Sequence, residues 1–384
     1  MHNALVSIVI PVYNGGNYLA SAIDSALAQT YPHCEVIVVN DGSTDGGETE
    51  RIALGYGNRI RYFRQENGGV GAALNEGVRQ MRGEYFSWLS HDDYYLADHV
   101  LRELQAIPNE RPETLVFGNY TYFDTLTGHS LPVNMEKRYT KRQLSVPLFP
   151  VVFQLIHGCA LLIHRSHFTR VGLFDEAQRT TQDYDMWFRL FRGSHTLHCP
   201  HNGLVSRLHP QAGNQTIPEF IDDACAFLIR TDQALTDAER ARISGTPHRY
   251  YTQMYENVAN TKYAAAKRYF SAAAQGDPFR YGCRTRDEKA ELYRTLVQNC
   301  GEQPPAKPQP DMNAAESGAE LDGQIRAAME RFYRLLSAKA ERHMRRPQWG
   351  PATRIKRALR RYGWLGTLRK GLSKVLPGKP APRE

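Results

Sequence analysis

The residues best suited to chemistry in this 384-residue chain are acidic and stand at the ends of apolar runs. Asp41 follows Glu35–Asn40, Asp92 and Asp93 follow Tyr85–Leu89, and Asp183 opens a stretch of helical spacing over Tyr184–Phe191. A carboxylate at a strand end offers hard oxygen ligands suited to Mg2+ or Mn2+. Each position also has a plainer reading. Asp92-Asp93 is an acidic turn, and Asp41-Gly42-Ser43 is a turn in which Ser43 or Thr44 caps a helix carrying Glu48 and Glu50 in its first turns. Asp183 is a helix N-cap with Asp185 behind it.

The elements that must position these residues alternate. Leu5–Val12 is a continuous apolar, β-branched run of the kind found in buried parallel strands. Helical spacing over Tyr18–Gln29 follows, through Leu19, Ile23, Ala26 and Leu27. Strands are expected at Glu35–Asn40, Ile60–Arg64 and Tyr85–Leu89, with a helix over Val70–Met81. Such βα units imply a parallel sheet covered by helices on both faces, with ligands outside the carboxyl ends of the strands. The polar loops all lie there. From Thr114 the pattern is mixed, with strands near Leu115–Tyr122 and Cys159–His164. Pro218–Cys300 reads as mostly helical, Gly301–Gln309 as a proline-rich linker, and Leu321–Arg342 as a helix. The expected organisation is a catalytic domain over 1–217, a helical extension over 218–300, a linker over 301–320 and a helix with a basic tail over 321–384.

The motifs, taken in order, resemble the family-2 inverting glycosyltransferases, which have the GT-A fold. They are Ser7–Asn14, Val39–Asp45, Asn67-Gly68-Gly69 with Asn75-Glu76-Gly77, and Gly83-Glu84-Tyr85 leading to Asp92-Asp93. Val171–Asp175, Gln182–Asp185 and Arg207-Leu208-His209 complete the set, which spans residues 5–212. Any one of them is weak; the ordered set is strong. The resemblance implies an α/β GT-A fold, a Rossmann-like mixed and parallel sheet flanked by helices, followed by a helical C-terminal region. It implies a UDP- or dTDP-sugar donor, a saccharide or lipid-linked saccharide acceptor, and a role in bacterial cell-surface polysaccharide or glycan assembly. In this frame Asp41 accepts from the N3–H of the base, while Pro11, Tyr13 and Asn14 shape the base pocket and Asn67 and Gly68 line the donor site. Asp92 and His209 hold Mn2+ or Mg2+, Asp93 faces neighbouring protein or ribose, and Asp183 is the general base. Arg64 is a phosphate contact or a surface residue. Gly158-Cys159 would let a substrate approach the backbone closely. Trp187 reads as core, and Tyr184 as acceptor surface.

Two departures stand out. Ser90-His91-Asp92-Asp93 occupies the place of the usual Asp-x-Asp-Asp, and Gln182 stands where Glu is usual. They keep two rivals open: a catalytically silent nucleotide-sugar binding or scaffold protein, and a nucleotidyltransferase, which would release pyrophosphate from a nucleoside triphosphate.

Charge bears on location rather than chemistry. The chain has 48 Lys+Arg against 40 Asp+Glu, a net of +8. Residues 341–384 hold 13 basic and 2 acidic side chains, so the remainder carries 48 − 13 = 35 against 40 − 2 = 38 and is mildly acidic. Within residues 354–376 apolar residues recur every three or four positions with Arg and Lys between, and Trp364 adds an interface-preferring ring. The tail therefore reads as a surface helix drawn to anionic membrane, or equally as a helix docked on the body, with nucleic acid excluded by the acidic remainder. The six cysteines form no CxxC pair, and no apolar stretch approaches the ~20 residues of a spanning helix. The expectation is a cytoplasmic body, peripheral on the inner face of the plasma membrane if the tail binds lipid.

Overall fold

The apolar run at the N-terminus forms β1 (Val6–Val12), in which every residue is buried. The computed structural model describes residues 3–211 and 217–275. β1 is flanked in parallel by β2 (Cys34–Asp41) and β4 (Tyr85–Trp88), and β3 (Arg61–Gln65) extends the parallel set beyond β2. The carboxyl ends of these strands therefore share one edge, and that edge carries Asn14, Asp41 and the Asp92 loop. Beyond β4 the sheet becomes mixed. β8 (Leu161–His164) runs antiparallel to both β4 and β6 (Leu115–Asp124), and β6 runs parallel to β9 (Thr196–Leu208). β5 (Tyr94–Tyr95) pairs antiparallel with β9, and β7 (Ser130–Val133) pairs antiparallel with β6. The order is β3-β2-β1-β4-β8-β6-β9-β5.

Helices cover the sheet as the periodicity requires. α1 (Leu19–Leu27) buries Leu19, Ala22, Ile23 and Ala26, the expected apolar stripe. α2 (Glu48–Leu54) and α3 (Gly69–Gln80) follow β2 and β3. Gly77 lets α3 sit directly on β1, because a Cβ there would lie 2.2 Å from Val9 Cγ1. The connections that follow carry α4 (His99–Ala106), α5 (Lys141–Leu144), α6 (Leu148–Val152) and α7 (Ser166–Val171). α8 (Gln182–Phe191) anchors through Met186, Trp187, Leu190 and Phe191, all fully buried.

The described residues form two compact units, one ending at Phe227 and the other starting at Leu228. α9 (Phe220–Ala234) begins in the first. The second continues with α10 (Asp237–Ser244), α11 (Pro247–Ala259) and α12 (Ala264–Gln275), which agrees with the helical reading. Thr236 and Glu239 form a capping box on α10, and Thr246 caps α11 with Pro247 at its first position. Inside this unit the buried Asp232 carboxylate pairs with Arg240 (2.9 Å) and accepts from Tyr269 (2.6 Å). The linker, the Leu321–Arg342 helix and the basic tail lie outside the described residues.

Two expectations need correction. Neither Ser43 nor Thr44 caps α2. Its first turn is met instead by Asp45, whose Oδ2 accepts from the Thr49 amide (3.0 Å) and hydroxyl (2.6 Å), while Ser43 and Thr44 reach back to the β1 loop. The 13-residue β9 was invisible to periodicity, because Pro200, Asn202 and Gly203 interrupt it where register shifts break its pairing with β6. Cys34, Cys159, Cys199 and Cys225 are free thiols. No described helix is long and apolar enough to cross a membrane.

Candidate active site

The loops after β1 and β2 are stitched into one surface. Asn14, with a positive φ of 51°, donates its amide to Ser43 Oγ (2.9 Å), and its Oδ1 accepts from the Thr44 amide (2.8 Å). Tyr13 beside it is 45% exposed, while Pro11 is buried. Asp41 ends β2 as expected, yet its carboxylate turns to the loop before α3. It accepts from Gln65 Nε2 (2.7 Å), the Gly68 amide (2.9 Å) and the Gly69 amide (2.8 Å). Asn67 Nδ2 donates to the Asp41 carbonyl (3.0 Å), so Asn67 and Gly68 wrap Asp41. Gly42 makes the approach possible. Its φ is +70°, and a Cβ would lie 2.7 Å from the Asn67 amide nitrogen. Arg64 is exposed.

The loop after β4 holds the second cluster. Asp92 Oδ2 and His209 Nε2 are 3.0 Å apart, and His209 Nδ1 faces Gln211 Oε1 at 3.3 Å. Burial alone would raise the Asp92 carboxyl. Hydrogen bonds from His209 and Ser90 and the neighbouring imidazoles outweigh it and hold the group far below the usual carboxylate range. The bond to Asp92 raises the His209 imidazole, with burial opposing. This donor set fits a divalent cation. A carboxylate oxygen and an imidazole nitrogen side by side would offer such an ion two ligands from this chain. A neutral His209 with its Nδ1 proton on Gln211 presents the Nε2 lone pair to the same point as Asp92.

Asp93 faces the protein. Burial and the neighbouring Asp92 push its carboxyl well up, and its Oδ1 accepts from the Arg207 amide (2.9 Å). Asp93, His157 and Cys159 lie close enough together to hold an ion. Their ligand atoms are otherwise engaged: His157 Nδ1 accepts from the Cys159 amide (3.3 Å), leaving Nε2 as a donor to Ser206 Oγ (3.1 Å), and Cys159 Sγ accepts from the Ser90 amide (3.2 Å). Burial pushes the His157 imidazole down to about 4. This is a neutral, hydrogen-bonded support under the Asp92 loop.

Arg207 braces that loop from β9. Its guanidinium donates to the Asp92 carbonyl (2.8 Å) and to Ser21 Oγ on α1 (2.8 Å), and lies over the rings of Tyr18 (5.0 Å) and Tyr94 (4.6 Å). Tyr18 also packs on the His209 ring at 5.1 Å. His91 hydrogen-bonds the Pro11 backbone and packs on Gly15, joining this loop to the first.

Asp183 stands in the first turn of α8 rather than at its N-cap, which is Thr181. Burial raises its carboxyl to about 6, against a hydrogen bond from the Tyr184 amide to Oδ1 (2.8 Å). The loop that delivers it is fixed from two sides. Asn75 of α3 donates to Phe174 O (2.9 Å) and Glu176 Oε1 (2.8 Å) and accepts from the Phe174 amide (2.8 Å). Thr180 donates to Asp223 at the start of α9, and Phe227 of that helix packs on Tyr184. Gln182 is buried against α3, its Cγ 3.5 Å from the Cβ position of Gly71, and its Oε1 has no hydrogen-bond partner. Burial pushes the Cys159 thiol far up, and the Asp93, Asp92 and Asp183 carboxylates all act on it.

The Gly158 expectation is corrected. A Cβ there would meet Trp88 Cζ3 at 2.4 Å and Trp187 Cζ2 at 3.2 Å, so the glycine admits two indoles to the core, not a substrate to the backbone. Trp187 is core, as its spacing implied. Sequence reasoning missed Tyr18, Asn75 and Arg207 as positioning residues, although Asn75 and Arg207 stand inside motifs already singled out.

A mixed nine-stranded sheet flanked by helices, with the polar loops after β1, β2 and β4 at one shared strand-end edge, defines a GT-A-like α/β protein. The family model "Glycosyl transferase family 2" matches residues 7–171. An uncharacterized glycosyltransferase of Rickettsia conorii is 43% identical over 269 residues, 68% of this chain and 43% of the relative. One from Rickettsia prowazekii is 43% identical over 260 residues, 66% of this chain and 80% of the relative. The chain thus belongs to glycosyl transferase family 2, and it spans about two fifths of the length of the first relative. Among solved structures, Staphylococcus aureus TarS 1–349 with UDP-GlcNAc superposes with a TM-score of 0.53 at 16% identity, covering 86% of this chain and 92% of that one. The mannosyltransferase PcManGT of Pyrobaculum calidifontis, with GDP-Man and Mn2+, gives 0.52 at 15% identity, covering 86% and 88%. Both likenesses concern the fold.

Proposed function

We propose that the chain transfers a sugar from a UDP- or dTDP-sugar to a hydroxyl of a saccharide acceptor, with inversion at the anomeric carbon. The observation that carries this reading is Asp183, whose carboxyl is raised by burial to about 6 and which acts on the same Cys159 thiol as Asp92. A base poised near neutrality can take the acceptor proton as the oxygen attacks the anomeric carbon and the bond to the diphosphate breaks. The electrons of that bond leave on the nucleoside diphosphate. Asp92 and His209 would hold Mn2+ or Mg2+, which when bound neutralises charge on the departing diphosphate. Arg207 keeps Asp92 in place. Asp41, ordered by the Asn67-Gly68-Gly69 loop, retains acceptor capacity for the N3–H of uracil or thymine, and Tyr13 and Asn14 offer the exposed edge beside it. The UDP-GlcNAc of TarS and the Mn2+ of PcManGT support these assignments by analogy of fold.

In this reading residues 1–217 carry the transfer and the helical extension supports the Asp183 loop through Thr180–Asp223. The pathway is cell-surface polysaccharide or glycan assembly. The basic residues 354–376 hold the protein on anionic membrane beside a lipid-linked acceptor, so deleting 347–384 releases it from anionic vesicles, and unchanged co-sedimentation refutes that part. The central test is Asp183→Asn: donor turnover falls at least 100-fold while UDP affinity stays near wild type. Undiminished turnover removes Asp183 from the mechanism. A wild-type chain that binds UDP-sugars under every condition and turns over none of them is the silent binding protein.

A further inference from the structure

Arg138 is a partly buried cation with one guanidinium nitrogen fully buried, and neither the fold nor the proposed transfer uses it. It follows a turn at Met135–Lys137 that leaves β7, its amide donating to Met135 O (2.9 Å), and that turn is pinned to β6 by the Met135 amide on Asn119 Oδ1 (3.0 Å). Its Nη1 is buried without a hydrogen-bond partner, and among the described residues no carboxylate pairs with its guanidinium. The neighbourhood is aromatic. The Arg138 charge acts on the buried Tyr120 phenol, as do the phenols of Tyr122 and Tyr184. Tyr120 packs on the His157 ring at 5.0 Å and edge-on to Tyr122 at 5.2 Å. Tyr184 directly follows Asp183, and its hydroxyl donates to Ile156 O (2.8 Å). The guanidinium therefore stands in the aromatic wall that begins one residue from the proposed base.

A guanidinium is a planar fork of donors matched to oxyanions, and leaving one of its nitrogens buried and unpaired is unfavourable. The donor diphosphate already has the Asp92–His209 pair in the proposed reading. We infer that Arg138 recognises an oxyanion carried by the acceptor, so that the acceptor class is an anionic saccharide, one bearing a phosphate, diphosphate or carboxylate near the accepting hydroxyl. This rests on the glycosyltransferase reading of the same site and adds what the acceptor must carry. Tyrosines suit a sugar ring beside the anion, since their faces pack on it while their hydroxyls hydrogen-bond.

The test titrates full-length protein, held with saturating UDP and Mn2+, with four probes: methyl glucoside, glucose 1-phosphate, glucuronic acid, and vesicles carrying a polyprenyl diphosphate. At least one anionic probe should bind roughly tenfold or more tightly than methyl glucoside, and the one preferred separates a soluble phosphate, a uronate and a lipid-linked diphosphate. Arg138→Met should lose that preference by roughly 10- to 100-fold, with Arg138→Lys intermediate. The unliganded melting temperature of Arg138→Met should hold or rise, because an unpaired buried guanidinium nitrogen is gone. Equal binding of neutral and anionic probes overturns the inference, as does a methionine variant that melts lower yet keeps the preference. Failure of the protein to bind UDP at all contradicts the donor reading instead, which keeps the two failures distinct.

Discussion

Replacing Asp183 by Asn should make the protein more stable at neutral pH, a result opposite to that expected of a carboxylate serving only the helix. Burial holds the folded carboxyl at about 6, about 2 above the ordinary aspartate value. A group whose folded pKa is raised contributes fully below its unfolded pKa, and that contribution is lost as pH rises through the folded value. Above pH 7 the ionised Asp183 therefore opposes folding by about 3 kcal/mol relative to a neutral side chain, at 1.36 kcal/mol per unit. Asn keeps the oxygen that accepts from the Tyr184 amide. It forfeits the favourable charge at the start of α8, about 0.3–1 kcal/mol. The net is about 2 kcal/mol in favour of Asp183→Asn at pH 8, or about 4–8 °C in melting temperature for a domain of this size. The pH dependence is the sharper signature. Integrating between the two pKa values, the gain shrinks to roughly half at pH 5 and is largely gone by pH 4. Calorimetric melts of both proteins across pH 4–8 measure it directly. A variant less stable than wild type at pH 8, or a difference flat with pH, would refute the burial argument and with it the case for Asp183 as a poised base.

Three further substitutions test the supports. Asn75→Leu preserves volume but removes three buried hydrogen bonds to the 174–176 loop, and at about 1 kcal/mol each should lower stability by about 2–4 kcal/mol in urea melts; an unchanged midpoint would show that the loop is held otherwise. Gly158→Ala drives a methyl into Trp88 and should destabilise by about 1–3 kcal/mol while leaving UDP affinity untouched, against the substrate-approach expectation that donor or acceptor binding suffers first. Arg207→Gln leaves the amide bond to Asp93 but frees the Asp92 carbonyl and Ser21. Mn2+ affinity in the presence of UDP should fall roughly 10- to 100-fold by titration calorimetry, the usual effect of losing an outer-shell support, and an unaltered value would leave Arg207 a purely structural residue.

Much of this was legible because the informative residues sit where backbone geometry repeats. Continuous apolar runs bounded by turn residues, β-branched in β1 and β2 and aromatic in β4, read as buried strands, so these strands and the loops at their ends followed from residue type. The rest depended on contacts far apart in sequence. That Asp41 would spend its carboxylate on the amides of residues 68 and 69 is not readable from Asp41-Gly42-Ser43, where a local cap is the nearer alternative. β9 escaped because its hydrogen bonds, not its side-chain alternation, make it a strand across two register shifts. Gly158 looked like a place for a ligand because sequence cannot show that Trp88 and Trp187 meet over it. The raised Asp183 carboxyl is likewise a property of its burial, which only the packed fold reveals.

The central claim is inverting transfer from a UDP- or dTDP-sugar, and proton NMR of a donor reaction tests it most directly. Full-length protein with Mn2+ is incubated with a panel of α-linked UDP- and dTDP-sugars, and the nucleoside diphosphate released and the anomeric configuration of the first-formed product are followed together. The account predicts release of UDP or dTDP from at least one donor, a β-configured product, and loss of both signals in Asp183→Asn. An α-configured product, or pyrophosphate released from a nucleoside triphosphate in place of diphosphate from a sugar donor, would contradict it.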